Sequence, residues 1–323
     1  MKMMHGLGIT VLSLLVAAVV MIEEEYMTFD FKIRKPFSFI AAMKTHGWFQ
    51  LPPFYWNEEA GELVWAVRLN GAVSPVRIKP LRETKAYARL RFDIDDPAAQ
   101  EIVEQKFSYI MNLDLDLAEF YQLCREDGVL AQVPQRGIGR LMRAESLYED
   151  IFKSICGANV RWKQAVKMIH NIAQLGDVAA GTDFHVFPTA VQVLETGELF
   201  LKEKGRVGYR SGYLIDLAQR FANGEADAAA VENGEMNADE LKKYFLSFKG
   251  IGKTTAHYLL ALHGHFEEMS VDSLVIKYMS QRHFNGVAPS EKEVLQFYHH
   301  YGRWRYLAYW MEFIINEGWN PDA

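Results

Sequence analysis

Phe248-Lys249-Gly250-Ile251-Gly252-Lys253-Thr254-Thr255-Ala256 stands between two runs of helical period, and its two glycines around one apolar residue allow a very tight turn. The helix that follows opens with unpaired backbone N–H groups, so the turn is a cradle for an anion and can hold a nucleic-acid phosphate without reading sequence. The same residues also suit an ordinary helix-connecting turn. Twenty residues after Gly252 comes Ser270-Val271-Asp272-Ser273, which places an acid at the start of the next helical run. Asp and Ser are common helix N-caps, so this acid too has a structural reading.

Working outward, helical periods broken by short Gly, Pro and Asp segments run from about Met111 to the end. Helices are expected over Leu115–Glu126, Ala144–Cys156, Trp162–Leu175, Ala190–Leu194, Gly212–Asn223, Ala238–Phe248, Thr254–Leu262, Ser273–His283, Ser290–His299 and Trp304–Asn316. Residues 27–110 read differently. Phe29–Ile33, Leu63–Leu69, Val73–Ile78 and Ala86–Phe92 alternate as strands of an antiparallel sheet, Asn70-Gly71 is a strong hairpin signal, and Phe37–Lys44 reads as a short helix. The expected fold class is therefore mainly α: a small α+β unit over 27–110, then an all-helical unit over 111–323. The first unit has no glycine-rich phosphate loop and no cluster of catalytic residue types, which points to a structural or docking role.

Composition narrows the classes. Half of the 323 residues are apolar and a quarter charged, which excludes disordered, collagenous and coiled-coil chains. The formal charge of −6 removes any bulk electrostatic case for nucleic acid. Three local clusters are basic, however: residues 153–170, 199–212 and 242–257 together carry +11, leaving −17 on the remainder. They suggest a basic footprint where they converge in space. Cys124 and Cys156 are too few for a disulfide framework and read as buried thiols. The apolar run Leu7–Ile22 behind Lys2 and His5 resembles a signal peptide or short anchor, but it is shorter than the roughly 20 residues of a straight span. A translation start at Met21 or Met27 is the favoured alternative, so residues 1–26 are set aside from the fold.

The order of segments is similar to the helix-hairpin-helix DNA glycosylase superfamily, in its alkyl-base and 8-oxoguanine branches. The resemblance rests on Lys249-Gly250-Ile251-Gly252 followed by Val271-Asp272, on Ser154-Ile155-Cys156-Gly157-Ala158-Asn159, and on Phe187-Pro188-Thr189. Val207-Gly208-Tyr209-Arg210 and Tyr301-Gly302-Arg303-Trp304-Arg305 complete it, and it spans about residues 115–317. It implies base excision from DNA, with a damaged purine, alkylated or oxidised, flipped out of the duplex and its N-glycosidic bond cut. Such a bond breaks through a cationic sugar, which a fixed carboxylate stabilises while it orients or deprotonates water. Asp272 is the expected catalytic carboxylate. Gly250, Gly252, Lys253 and Thr254 are expected to hold the DNA backbone, and Asn159, Tyr209 and Arg210 to fill the gap and contact the orphaned base.

Members of the superfamily that also cut the strand carry a lysine two residues after the second hairpin glycine, where this chain has Thr254. Lys253 lies one residue earlier, about 100° around a helix, so water is the expected nucleophile. Lys249 stands where proline is usual, and no carboxy-terminal four-cysteine tract is present, which excludes the iron–sulfur subgroup. No cofactor and no catalytic metal are expected, with a monovalent cation at the hairpin as the one ion allowed for; His257, His263, His265, His299 and His300 lack a common ligating face. The expected partner is double-stranded DNA with a damaged base, bound by a monomer with no obligate protein partner. The expected location is the cytoplasm and nucleoid, or the nucleus of a eukaryote, with export or anchoring left open by residues 1–26. The competing readings are a non-catalytic helix-hairpin-helix DNA-binding protein and, from the leader, an anchored protein of unrelated role.

Overall fold

Alternation builds the first layer. Along Tyr87–Ile94 the residues Ala88, Leu90, Phe92 and Ile94 are buried and those between them are turned outward, as a strand with one covered face requires. The computed structural model, which describes residues 26–318, places this strand (β5) in a five-stranded antiparallel sheet. The other strands are β1 (Met27–Arg34), β2 (Phe54–Asn57), β3 (Glu62–Leu69) and β4 (Ala72–Pro80), in the order β1-β5-β4-β3-β2. Asn70 and Gly71 both have positive φ, 49° and 87°, and turn β3 into β4 with Leu69 opposite Ala72, the two-residue hairpin the dipeptide calls for. Edge strand β2 is absent from the sequence reading, because four residues behind Pro52-Pro53 are too few to show a period.

Two helices cover the sheet, α1 (Phe39–Lys44) and α2 (Gln100–Ile110). Phe107 of α2 meets Phe92 edge-on at 5.0 Å between ring centroids. The helix α2 was also not expected; the Asp96 side chain accepts the Ala98 N–H just ahead of it.

Beyond it lie α3 (Ala118–Arg125), α4 (Gln132–Arg136), α5 (Leu147–Gly157), α6 (Trp162–Ala173), α7 (Ala190–Glu203), α8 (Ser211–Ala222) and α9 (Ala228–Glu232). They are followed by α10 (Ala238–Leu246), α11 (Lys253–Leu262), α12 (Ser273–Arg282), α13 (Glu291–Phe297) and α14 (Arg305–Glu317). The expected helices all appear, shifted at their ends by a few residues except α7. That helix was expected to stop at Leu194 and instead resumes past Gly197, whose φ of 82° and ψ of 172° interrupt it. Thr189 opens α7 with a reciprocal cap to Gln192.

The two layers share a seam. Trp48 and Leu51, which follow α1 in the chain, are buried in the helical core together with Phe152, and Tyr258 packs at its margin. Asn112 donates to the carbonyls of Leu141 and, at 2.7 Å, Leu262, which fixes the end of α11 to the linker after the sheet unit. Among the described residues no helix is long and apolar enough to cross a membrane. The run Leu7–Ile22 lies outside the described residues.

Candidate functional site

The hairpin is held from inside by Ile251, 7% exposed, whose N–H donates to the Phe248 carbonyl at 3.2 Å. Its two glycines differ. Gly250 has φ +88° and its α-carbon faces Tyr213 of α8 so closely that a Cβ would stand 2.6 Å from the ring. Gly252 has φ −94° and opens α11 with no side-chain cap, and a Cβ there would meet no protein atom within 4 Å. Gly250 is thus required by the fold, whereas Gly252 leaves the amino end of α11 bare toward solvent. Lys253 and Thr254 are the exposed first residues of that helix; the Lys253 ammonium stands 3.7 Å from Glu291 of α13. Lys249 is paired with Asp216 of α8. A cation at this turn would depend on backbone carbonyls, of which those of Phe248 and Gly252 already accept the N–H groups of Ile251 and Ala256.

Asp272 caps α12, its Oδ1 accepting the Leu274 and Val275 N–H groups at 3.0 Å each, and its side chain is exposed. The N-cap reading of this residue is therefore correct, and capping fixes the carboxylate in one orientation. Behind it lie the phenols of Tyr306 and Tyr309 on α14, whose proton affinities burial raises, with the Asp272 charge adding to the effect.

An aromatic cluster continues from these tyrosines. Trp310 lies nearly parallel to Tyr306 with centroids 6.3 Å apart, and its indole N–H donates to the Thr45 carbonyl at 3.0 Å. The Tyr258 hydroxyl is 2.6 Å from His46 Nε2 and also bonds the Trp48 side chain. Burial lowers the His46 pKa to about 3, against a backbone bond at Met142, so the ring is neutral and offers its nitrogens as hydrogen-bonding groups. Tyr258 lies one turn after Thr254 on α11, so its face of the helix was legible in the sequence. His46 and Trp48 were not: they come from the unit assigned a structural or docking role, and no spacing joins residues 212 apart.

The third group surrounds Asn159, which follows α5 with φ +54° and an exposed side chain. Arg210 is 5% exposed and donates to the carbonyls of Ile155, Ala158 and Val207, so it closes the end of α5 and braces the Asn159 turn from behind. Tyr209, 63% exposed, lies under the Arg210 guanidinium and meets Tyr213 edge-on at 6.0 Å. The tyrosine is thus outside and the arginine inside, so of the two only Tyr209 is placed to meet a base directly. Through Tyr213, which also covers Gly250, this group is packed directly against the hairpin.

The basic clusters are weaker than their sum. Lys153 is buried against Glu149 at 2.5 Å, and Lys202, Lys242, Lys249 and Lys253 each stand within ion-pair distance of an acid. Among the described residues no group of three or more His, Cys, Asp or Glu is placed to hold a metal ion.

No family model matches the chain. It is 25% identical over 256 residues to a probable N-glycosylase/DNA lyase of Methanothermobacter thermautotrophicus, covering 72% of this chain and 78% of that protein. It is also 25% identical over 171 residues to a DNA-3-methyladenine glycosylase of Bacillus subtilis, 51% of this chain and 56% of the other. In fold it is similar to the 3-methyladenine DNA glycosylase of Archaeoglobus fulgidus, with a TM-score of 0.72, 23% identity, and 90% and 99% of the two chains covered. The 8-oxoguanine glycosylase/lyase of Clostridium acetobutylicum, in complex with double-stranded DNA containing cytosine opposite 8-oxoguanine, superposes with a TM-score of 0.65 at 20% identity, over 90% of this chain and 98% of that one.

Proposed function

Because this chain belongs to the helix-hairpin-helix DNA glycosylase superfamily, we propose that it is a DNA N-glycosylase for damaged bases that uses water, and not an amine, as its nucleophile. In this reading a purine carrying alkyl or oxidative damage leaves the stack, and the backbone N–H groups at Gly252 to Thr254, with Lys253, hold a phosphate of its strand. As the C1′–N bond lengthens, its electron pair leaves with the base and positive charge grows on the sugar. Asp272 stabilises that charge and takes a proton from water, whose oxygen bonds to C1′. The strand is left intact with an abasic sugar. Asn159 fills the vacated space, Tyr209 wedges beside it, and Arg210, buried and bonded to three carbonyls, does not touch the orphaned base as expected but braces the turn that carries Asn159.

The observation that carries the water mechanism is the start of α11. Thr254 occupies the lysine position of strand-cutting members, and Lys253, one residue earlier, is turned toward Glu291. The lyase named among the relatives favours the second reading, in which Lys253 bends inward and attacks C1′ as an amine. The two are separated by incubating the protein with duplexes bearing single alkylated or oxidised purines and adding borohydride. Free base with a strand that breaks only after alkali, and no trapped protein–DNA adduct, is the expected result. An adduct lost in Lys253→Gln would establish the amine mechanism, and no base from any lesion duplex would favour a binding protein.

A further inference from the structure

A buried hydrogen bond ties the segment that carries Asp272 to the helix that begins at the hairpin. Ser270 Oγ lies 2.8 Å from His257 Nδ1, with the serine 9% and the histidine 1% exposed. Ser270 is two residues before Asp272, and His257 is one turn beyond Lys253 on α11, so one bond joins the two elements of the proposed site. The other nitrogen, Nε2, is buried without a hydrogen-bond partner and faces Glu268 Oε2 at 3.7 Å. Glu268 is in turn held at its other oxygen by Lys242 of α10 at 2.6 Å. The charged groups facing His257 are Glu268, Lys242, Lys253 and Glu291; burial outweighs the two acids and lowers its pKa, so the ring is neutral at pH 7 and Nδ1 shares its hydrogen bond with the serine hydroxyl.

The residues between Phe266 and Asp272 form no regular element, so they have no ladder of backbone bonds to fix them. A misplacement of about 1 Å in a reacting group costs on the order of 100-fold in rate. A polar pair this deeply buried also has no structural need to be polar, since apolar groups of the same shape would pack without a desolvation cost. We propose that the buried His257–Ser270 hydrogen bond, with Glu268 facing the other ring nitrogen, is a positioning device that locks the segment bearing Asp272 onto the phosphate-holding hairpin helix, so that gripping the backbone and presenting the carboxylate occur in one rigid frame. His257 and Ser270 are then positioning residues that touch neither substrate nor water.

This inference rests on Asp272 being the catalytic carboxylate, and its test separates the two ideas. Ser270→Ala and His257→Leu are compared with His257→Asn, whose side-chain amide carries both a donor and an acceptor at about the reach of Nδ1 and so restores a partner for the Ser270 hydroxyl. Single-turnover base release should fall by about 10- to 100-fold in the first two variants, with lesion-duplex affinity unchanged, and recover in His257→Asn. Amide hydrogen exchange over residues 266–273 should quicken in Ser270→Ala and His257→Leu and return toward the parent in His257→Asn. Parental rates and parental exchange in Ser270→Ala would overturn the proposal, as would equal losses of rate and DNA affinity in all three variants. Should the parent protein release no base at all, the proposed activity fails, and the exchange measurement by itself still decides whether the bond locks the segment.

Discussion

At the scale of single residues, the site separates side chains that the fold requires from those it leaves free. Asp272 holds two backbone N–H groups through one oxygen, a task asparagine performs equally well. Asp272→Asn should therefore keep the thermal midpoint and DNA affinity while slowing base release by about 100-fold or more, measured under single turnover. The glycines part in the same way. Gly250→Ala forces a left-handed backbone and a clash with Tyr213, and should cost on the order of 1–3 kcal/mol in denaturant unfolding. Gly252→Ala should unfold like the parent, because the space its methyl enters is open, and should weaken binding to all DNA sequences alike, because in the proposed function that space is where a phosphate would sit.

His46 adds a pH signature. Its folded pKa of about 3 lies below the ordinary 6.5, so the unfolded chain binds the extra proton between those values and stability falls as pH drops from 6.5 toward 3, by up to about 1.4 kcal/mol per pH unit. Glu149, raised by burial to about 7, acts in the opposite sense between its ordinary value and pH 7, where the folded chain binds more protons. Urea melts of His46→Gln between pH 4 and 7 should lose the His46 share of the slope and stay more stable relative to the parent as the pH is lowered. A parallel pH dependence in both proteins would show that the ring titrates normally.

At the scale of elements, Arg210 turns the end of α5 and the start of α8 into one unit. Its guanidinium satisfies three backbone carbonyls in the interior, so Arg210→Ala leaves buried acceptors unpaired and releases the Asn159 turn. The expected cost is about 2 kcal/mol in chemical unfolding, together with slower base release. Arg210→Lys should recover little of either, because a single ammonium cannot span the three carbonyls that the planar fork reaches. Full recovery by lysine would mean that charge alone is what this position supplies.

At the scale of the whole molecule, the sheet and the helices are tied together by the segment around His46 and Trp48. Trp48 and Leu51 belong to the helical core, Trp310 of α14 donates to Thr45, and His46 meets Tyr258 of α11. Heating should accordingly give one cooperative transition by both far-ultraviolet and tryptophan signals, and two separated transitions would show that the seam is weak. What the sequence determined by itself was local: the hairpin dipeptide Asn70-Gly71, the helical periods, the tight turn at Gly250 and the capping acid Asp272 each follow from backbone sterics and from spacing within a few residues. Strand β2 and helix α2 escaped notice because a short edge and a mixed stretch carry too little period. Only the tertiary structure decided that Arg210 is buried and Tyr209 exposed, that several lysines of the basic clusters are paired with acids, and that His46 and Trp48 stand behind Tyr258. These depend on contacts between residues far apart in the chain, where burial and pairing are set by what the packed elements bring together and no sequence period reaches.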